Sequence, residues 1–454
     1  MTIPKHIYVL GLGGVGVSAV AKYFLSRGTR VVGSDPRRNP LIDDMVKLGA
    51  TYYAEEDPVH LDERTELLVY TDDAHEDHPL RQRARSLNIP CQSFAETLGQ
   101  IMADYPQRLA VAGTNGKSTT SALTGLLLAD AGQDPTVFVG SRLTEFNGNL
   151  RLGGPGIFVA EADEYRDHFL QLHPNQAVIT NIELDHVDYF GNRSRLEKSF
   201  LDFAADISPG RLVINGDDRA LRTLWPKAVT FGNGSADATI SHVKTGAGYQ
   251  EFSLAWRDLD LGRFTLHIPG SFNIMNAVAA MTASLVAGAS PTTFANTLAN
   301  FRGIWRRFQI LTAPTSAVTV VNDYAHHPTA VRVTLEGARA FFPGRRIVAV
   351  FQPHHHNRLT ALFNDFTRCF AAADRTVIVE TYTVSGREPA VADTKSSQEL
   401  AAALQAQQRH AEYAADPLAA EAFLRHIVEP GDVVLIMGAG DIWHIAESLA
   451  ATYA

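Results

Sequence analysis

The stretch RLAVAGTNGKSTTSALTGLLLADAG, residues 108–132, constrains the fold more than any other in the chain. An apolar run of strand length meets a glycine loop, and the loop opens directly onto a helix-forming segment. That order suits one local arrangement, a β-strand whose carboxyl end turns through glycines into the amino terminus of an α-helix. A strand followed by a helix finds its next neighbour by a crossover, so the stretch points to an open, mostly parallel α/β sheet. Gly113-Thr114-Asn115-Gly116-Lys117-Ser118 also has the layout that phosphate chemistry asks for. Glycines let backbone N–H groups approach phosphate oxygens, and the helix terminus favours an anion. Lys117 can reach a β- or γ-phosphate, and Ser118, followed by Thr119, can offer a hydroxyl to Mg2+. The strict P-loop spacing has glycine at position 111, where this chain has valine, so the loop is a shortened form.

The same alternation recurs along all 454 residues, a length that suggests about three domains. A first block runs from HIYVLG through ELLVYTD to a polar, proline-containing linker at Asp104-Tyr105-Pro106-Gln107. The second holds the phosphate loop, the strands IFVAEAD and AVITNIE, and an alternating, glycine-broken segment at 237–269 that reads as a small antiparallel insertion. The third begins at VTVVNDYAHHP and closes on DVVLIMGAGDIWHIAESLA. The expected architecture is α/β in three domains. These are a Rossmann-like domain at 1–106, a central P-loop ATPase-type domain at 107–311 and a Rossmann-like C-terminal domain at 312–454.

Charge and cysteine content narrow the partners. A net charge of −9 offers no basic excess to neutralise a nucleic acid. Cys91 and Cys369 lie far apart and form neither a disulfide framework nor a CxxC pattern, which fits a reducing cytoplasm. The N-terminal apolar run is interrupted by glycines and reads as strand, turn and helix; neither a signal peptide nor membrane insertion is expected. No motif sets an oligomeric state.

Two more clusters lie at later strand ends, where open α/β sheets collect their ligands. They are Glu161-Ala162-Asp163-Glu164 and, in TNIELDH, Asn181, Asp185 and His186. Glu161 and His186 would suit Mg2+, which takes few protein ligands and completes its shell with phosphate and water; a solvated acidic loop is the plainer alternative. The turn Gly11-Leu12-Gly13-Gly14-Val15-Gly16 fits GxGxxG, and Asp35 follows nineteen residues after Gly16. Taken alone, that pair reads as a dinucleotide fingerprint and would make the chain an NAD-dependent oxidoreductase.

GTNGKST, EADE, TNIELDH, NGDD, PGSFNIMNA, RRF, DYAHHP, FQPH and GAGDI occur in the order seen in the Mur ligases, and the chain resembles that family over essentially its whole length. The resemblance implies ATP-dependent amide formation through an acyl phosphate, with ATP and Mg2+, on a UDP-sugar or other carboxylate acceptor and an amino acid. DYAHHP, FQPH and GAGDI resemble the alanine-adding branch, which joins L-alanine to UDP-N-acetylmuramate for peptidoglycan. A paralogue with a different carboxylate acceptor, or one that attaches a peptide, is the alternative within the family. By resemblance Lys117 holds the transferring phosphate, while Ser118, Glu161 and His186 serve the metal. Asn276 meets adenine, Arg307 the phosphates and Asp323 the ribose. Gly11, Gly13, Gly14 and Gly16, with Asp35 nearby, take the UDP side. Tyr324, His326, His354, His355 and Arg358 face the acceptor and amino acid. Closure of the third domain, with a hinge near 310–314, is also implied. Lys198 reads as a plain surface lysine.

The chain departs from the family pattern at named positions. Tyr8 stands where a histidine is usual, Thr71-Asp72-Asp73-Ala74 replaces a Ser-Ser-Ala stretch, and Glu55-Glu56-Asp57 replaces a Gly-His. Carboxylates near a pyrophosphate repel it unless they point away or are neutralised. Asn115, Ser118 and Phe272 replace histidine, threonine and histidine. In FQPHHHNR, His354, His355 and His356 could suggest a metal site. Against the family pattern, however, His355 stands where an arginine grips substrate, and an imidazole, unlike a guanidinium, can lose its charge near neutral pH. Acceptor binding that tightens at lower pH, or a different acceptor, is the expectation.

Overall fold

The computed structural model of the protein describes residues 2–72, 74–184, 186–383 and 394–453. Asp73 and Asp185 lie outside the described residues. The architecture is three-domain α/β, built on sheets of five, ten and six strands. By contact density the chain forms two compact units. One comprises 1–241, 253–264 and 275–298; the other comprises 242–252, 265–274 and 299–454.

In the first unit, the five-stranded sheet runs Thr51–Tyr53, Arg30–Ser34, His6–Leu10, Leu67–Tyr70, Cys91–Ser93. All its pairings are parallel. The strand order turns back at His6–Leu10, which is the switch point where such sheets leave a crevice. Successive residues of that strand feed opposite cores. Ile7 and Val9 pack with the helix Val15–Ser26, whereas Tyr8 and Leu10 pack with Val32, Leu61 and Leu68. This period-two burial on both faces is what a central parallel strand requires.

The ten-stranded sheet is parallel through Val229–Gly232, Leu212–Asn215, Gln176–Ile179, Gln107–Ala112, Ile157–Glu161 and Thr136–Leu143. Gly148–Arg151 then pairs antiparallel at one end. At the other end come Ala238–Gly246, Tyr249–Trp256 and Leu259–Leu266, joined by two-residue connections that suit antiparallel neighbours. These three strands are the insertion expected at 237–269.

In the second unit, the six-stranded sheet runs Gln309–Ile310, Thr319–Asp323, Val433–Met437, Ile347–Phe351, Arg375–Val379, Ala411–Ala414. Only Gln309–Ile310 is antiparallel. Val321, Ala349, Phe351 and Leu435 point to one core; Val320, Val348, Val350 and Val434 point to the other. Helices therefore cover both faces, and the strand ends alone are left for chemistry. The segment 310–314 lies within this unit and begins at the last residue of strand Gln309–Ile310. Among the described residues, no helix is long and apolar enough to cross a membrane.

Candidate active site

Three adjacent central strands end in the three motifs read from the sequence. Gln107–Ala112 leads into the glycine loop, Ile157–Glu161 ends in EADE, and Gln176–Ile179 leads into TNIELDH. Parallel pairing brings all three carboxyl ends to one edge.

The loop is braced from the neighbouring strand's continuation. Asn181 accepts from Thr114 N through its carbonyl (3.1 Å) and from Asn115 N through Oδ1 (2.9 Å), and it donates from Nδ2 to Asn115 O (2.9 Å). Thr180 Oγ1 donates to Asn115 O at 2.6 Å. Gly113 and Gly116 have φ of +130° and +88°, the left-handed region that favours glycine. A Cβ on Gly113 would lie 2.1 Å from Thr180 Oγ1, and one on Gly116 would lie 2.2 Å from Asn276 Oδ1. Asn276 is thus set against the loop. Gly116 ends the loop as the N-cap of helix Lys117–Asp130, with Ser118 and Thr119 in its first turn.

Lys117 Nζ donates to Gly113 O (2.7 Å), Thr114 O (3.3 Å) and Glu164 Oε2 (2.7 Å). The pair is buried: the side chains are 14% and 2% exposed. Burial alone would lower the lysine, but Glu164, Asp163 and Glu161 outweigh it and hold the ammonium above its ordinary value. Burial raises Glu164 despite the lysine. Ser118 Oγ donates to Glu161 Oε1 at 2.9 Å, and Gly140 N donates to Glu161 Oε2 at 2.6 Å. A hydroxyl and a carboxylate meeting at a phosphate loop form an oxygen donor set of the kind Mg2+ takes. His186 stands with Asp163 and Glu164, their ligand atoms all within 4.8 Å of one another, and its ring lies 4.6 Å from Tyr165. Glu164 and Asn181 are the members of the two strand-end clusters that engage the lysine and the loop. Glu164 shares the EADE run with Glu161, and only the fold shows which acid meets the lysine.

In the N-terminal sheet, Gly11 and Gly13 lie in the turn after His6–Leu10, Gly14 caps helix Val15–Ser26, and Gly16 lies inside it. Asp35 Oδ2 accepts from Gly13 N and its Oδ1 from Arg37 N, both at 2.9 Å. The carboxylate is thus engaged on one side by the glycine turn and on the other by its own loop. Three of the unusual acids have partners. Glu56 meets His78 at 3.1 Å, Asp57 caps a short 3-10 turn through Val59 N, and Asp72 pairs with His168 at 3.0 Å. Tyr8 is fully buried, and burial pushes its phenol up to about 12; it serves the core. Lys198 is 72% exposed and paired with Asp202.

In the second unit, DYAHHP, GAGDI and FQPH follow the adjacent strands Thr319–Asp323, Val433–Met437 and Ile347–Phe351. Gln352 Nε2 donates to Asp441 Oδ1 at 3.1 Å, tying FQPH to GAGDI. Asp323 is buried and accepts from Phe308 N (2.6 Å) and Ala325 N (2.7 Å); burial raises its carboxyl. Arg307 is exposed, its guanidinium 4.9 Å from the Tyr324 ring. His326 Nδ1 lies 3.0 Å from Tyr324 O, whereas His327 caps helix Pro328–Phe341. The histidine triplet divides. His354 stacks on Tyr382, and burial, then His355 and Arg358, hold its imidazole down at about 3. His355, at φ +69°, caps helix His356–Ala361, which carries Arg358, and His356 begins that helix. The Phe272 ring packs on Gly270.

Known proteins match this arrangement over its whole length. Three domain profiles align: the Mur ligase family, catalytic domain, at residues 6–106; the Mur ligase middle domain at 111–284; and the Mur ligase, glutamate ligase domain, at 306–440. The UDP-N-acetylmuramate–L-alanine ligase of Alkaliphilus metalliredigens is 34% identical, covering 98% of this chain and 97% of its own. The ligase of the same name from Caldanaerobacter subterraneus is 36% identical, covering 98% and 96%. The crystal structure of UDP-N-acetylmuramate-alanine ligase from Thermotoga maritima superposes with a TM-score of 0.87 at 26% identity, covering 99% of both chains. No support for an oxidoreductase emerges. The chain is an ATP-dependent ligase and belongs to the Mur ligase family.

Proposed function

We propose that this protein joins L-alanine to the carboxylate of UDP-N-acetylmuramate in peptidoglycan precursor synthesis, converting ATP to ADP and phosphate in the cytoplasm. The observation that carries the reading is full-length identity of about one third with ligases named for that reaction, joined to a phosphate loop whose lysine is in place. Residues 1–106 would bind the UDP-sugar, 107–311 ATP, and 312–454 the amino acid.

The residues fit the chemistry. ATP phosphorylates the acceptor carboxylate, the alanine amine attacks the acyl phosphate, and phosphate leaves. The loop amides and Lys117 hold the transferring phosphate, where fixed positive charge stabilises the charge that develops. Ser118 and Glu161, with His186 nearby, would hold Mg2+, which neutralises phosphate charge. Asn276, set against Gly116 of the loop, would meet the adenine. Exposed Arg307 suits the phosphates, while Asp323 acts chiefly by tying the RRF and DYA segments together. The turn at Gly11–Gly16 takes the pyrophosphate. Tyr324, His326, His354, His355 and Arg358 serve the acceptor and amino acid, and a neutral His354 suits an uncharged amine. A second reading keeps the chemistry but changes the acceptor; the replacement of an arginine by His355 favours it.

The test is ADP release by the purified enzyme. Release should require both UDP-N-acetylmuramate and L-alanine, and Lys117→Ala should reduce it at least about a hundredfold with the fold intact. No release with that acceptor and alanine, serine or glycine retires the first reading; release with another carboxylate acceptor supports the second.

A further inference from the structure

We propose that Glu164 is a built-in counter-ion standing in for the nucleotide phosphate at Lys117, so that ATP binds by displacing it. The inference rests on the ATP-binding reading above. An ammonium has three protons to donate, and those of Lys117 are taken by Gly113 O, Thr114 O and Glu164 Oε2. A phosphate oxygen can reach the lysine only by replacing one of these acceptors. The two carbonyls belong to the loop, which Asn181 holds by three hydrogen bonds. The carboxylate belongs to a different element and carries the same sign as the incoming phosphate, so it is the partner that yields.

The pair is also too deeply buried for solvent to replace it. With Glu164 2% exposed and Lys117 14%, an empty loop without the carboxylate would hold an uncompensated charge. Glu164 is mounted to move without its backbone moving. Arg166 and Asp167 follow it in the left-handed region, at φ +51° and +59°. That turn is pinned by Asp167, which accepts from Tyr189 at 2.6 Å and from Ser199. A rotated carboxylate has a partner within reach in His186, which stands in the same 4.8 Å cluster. Glu164 is therefore a positioning residue that acts through Lys117.

The experiment is calorimetric titration of ATP in EDTA, which separates the lysine from any cation, on wild type and Glu164→Gln. The amide keeps the shape and removes the charge. If the competent, unpaired state of the empty site is a minor population, removing the competitor tightens ATP by about tenfold or more. The ligand-free variant should also melt below wild type, and ATP should raise its melting temperature further than it raises that of wild type. A purely structural role predicts the opposite sign, weaker binding from a damaged loop. Equal or weaker ATP affinity in a folded variant overturns the proposal. Should Glu164→Gln not fold, Glu164→Asp, with the carboxylate drawn back by one methylene, is titrated the same way and judged by the same sign. A wild type that binds no ATP overturns the ATP reading itself, whereas wild-type binding without a gain in the variant overturns only the role of Glu164.

Discussion

Arg306 and Arg307 adjoin in sequence and differ in environment. Arg306 is buried, donates to the carbonyls of Gly438 and Gly440, and lies over Tyr324; burial pulls its guanidinium down to about 10. Arg307 is exposed. The motif RRF names two candidates, and burial divides them into a structural clamp and a solvent-facing side chain. His168 is a second residue that only its surroundings explain. Burial alone would lower its pKa, but the Asp72 carboxylate at 3.0 Å, with Asp163 adding and Arg166 opposing, leaves it raised. The folded imidazole then keeps its proton to a higher pH than the unfolded one. The pair's stabilisation is fully present below about pH 6.5, the unfolded value, and is lost as pH rises through the raised folded value. Asp72→Asn should therefore lower the melting temperature most near pH 5.5 and progressively less toward pH 8.5. A difference that stays constant across that range would remove His168 as its source.

At the scale of elements, the hairpin of Thr136–Leu143 and Gly148–Arg151 links the nucleotide end to the first sheet. Gly140 N holds Glu161 on one side. On the other, buried Asn149 donates to Val15 O and to Ser18 Oγ (3.0 Å), Arg142 reaches Asp44 at 3.1 Å, and Lys22 donates to Asn147 O at 3.1 Å. Asn149→Ala deletes a buried amide with two partners and should destabilise the fold by about 1–3 kcal/mol, read as a lower denaturant midpoint. An unchanged midpoint would mean the hairpin docks through apolar packing alone. The sequence reading places a strand at TVFVG and none at 148–151. The Asn147-Gly148 pair is the turn signal that marks the missing one, although a four-residue strand ending in arginine has little periodicity of its own. The alternating segment at 237–269, by contrast, was legible because three long strands repeat a period of two.

For the whole molecule, ligands should report which domains are built to bind. A saturating ligand at about 100 times its Kd stabilises by about 2.7 kcal/mol. ATP and UDP-N-acetylmuramate should each raise the melting temperature, and NAD should not. Stabilisation by NAD alone would return Gly11–Gly16 and Asp35 to the dinucleotide reading.

The sequence by itself determined the α/β class, the three sheets and the motif at each functional strand end. Strand and helix periods, glycine turns and motif order are local properties, and parallel pairing then gathers their ends on one edge. What only the tertiary structure decided is which side chains of each motif face which partners. Glu164, not Glu161, meets Lys117; Asp35 bridges the glycine turn and its own loop; His354, His355 and His356 take separate positions. Residues of one motif are neighbours in sequence, but decisive partners such as Glu164 for Lys117 come from elements distant in sequence. Those contacts exist only after the sheets have packed.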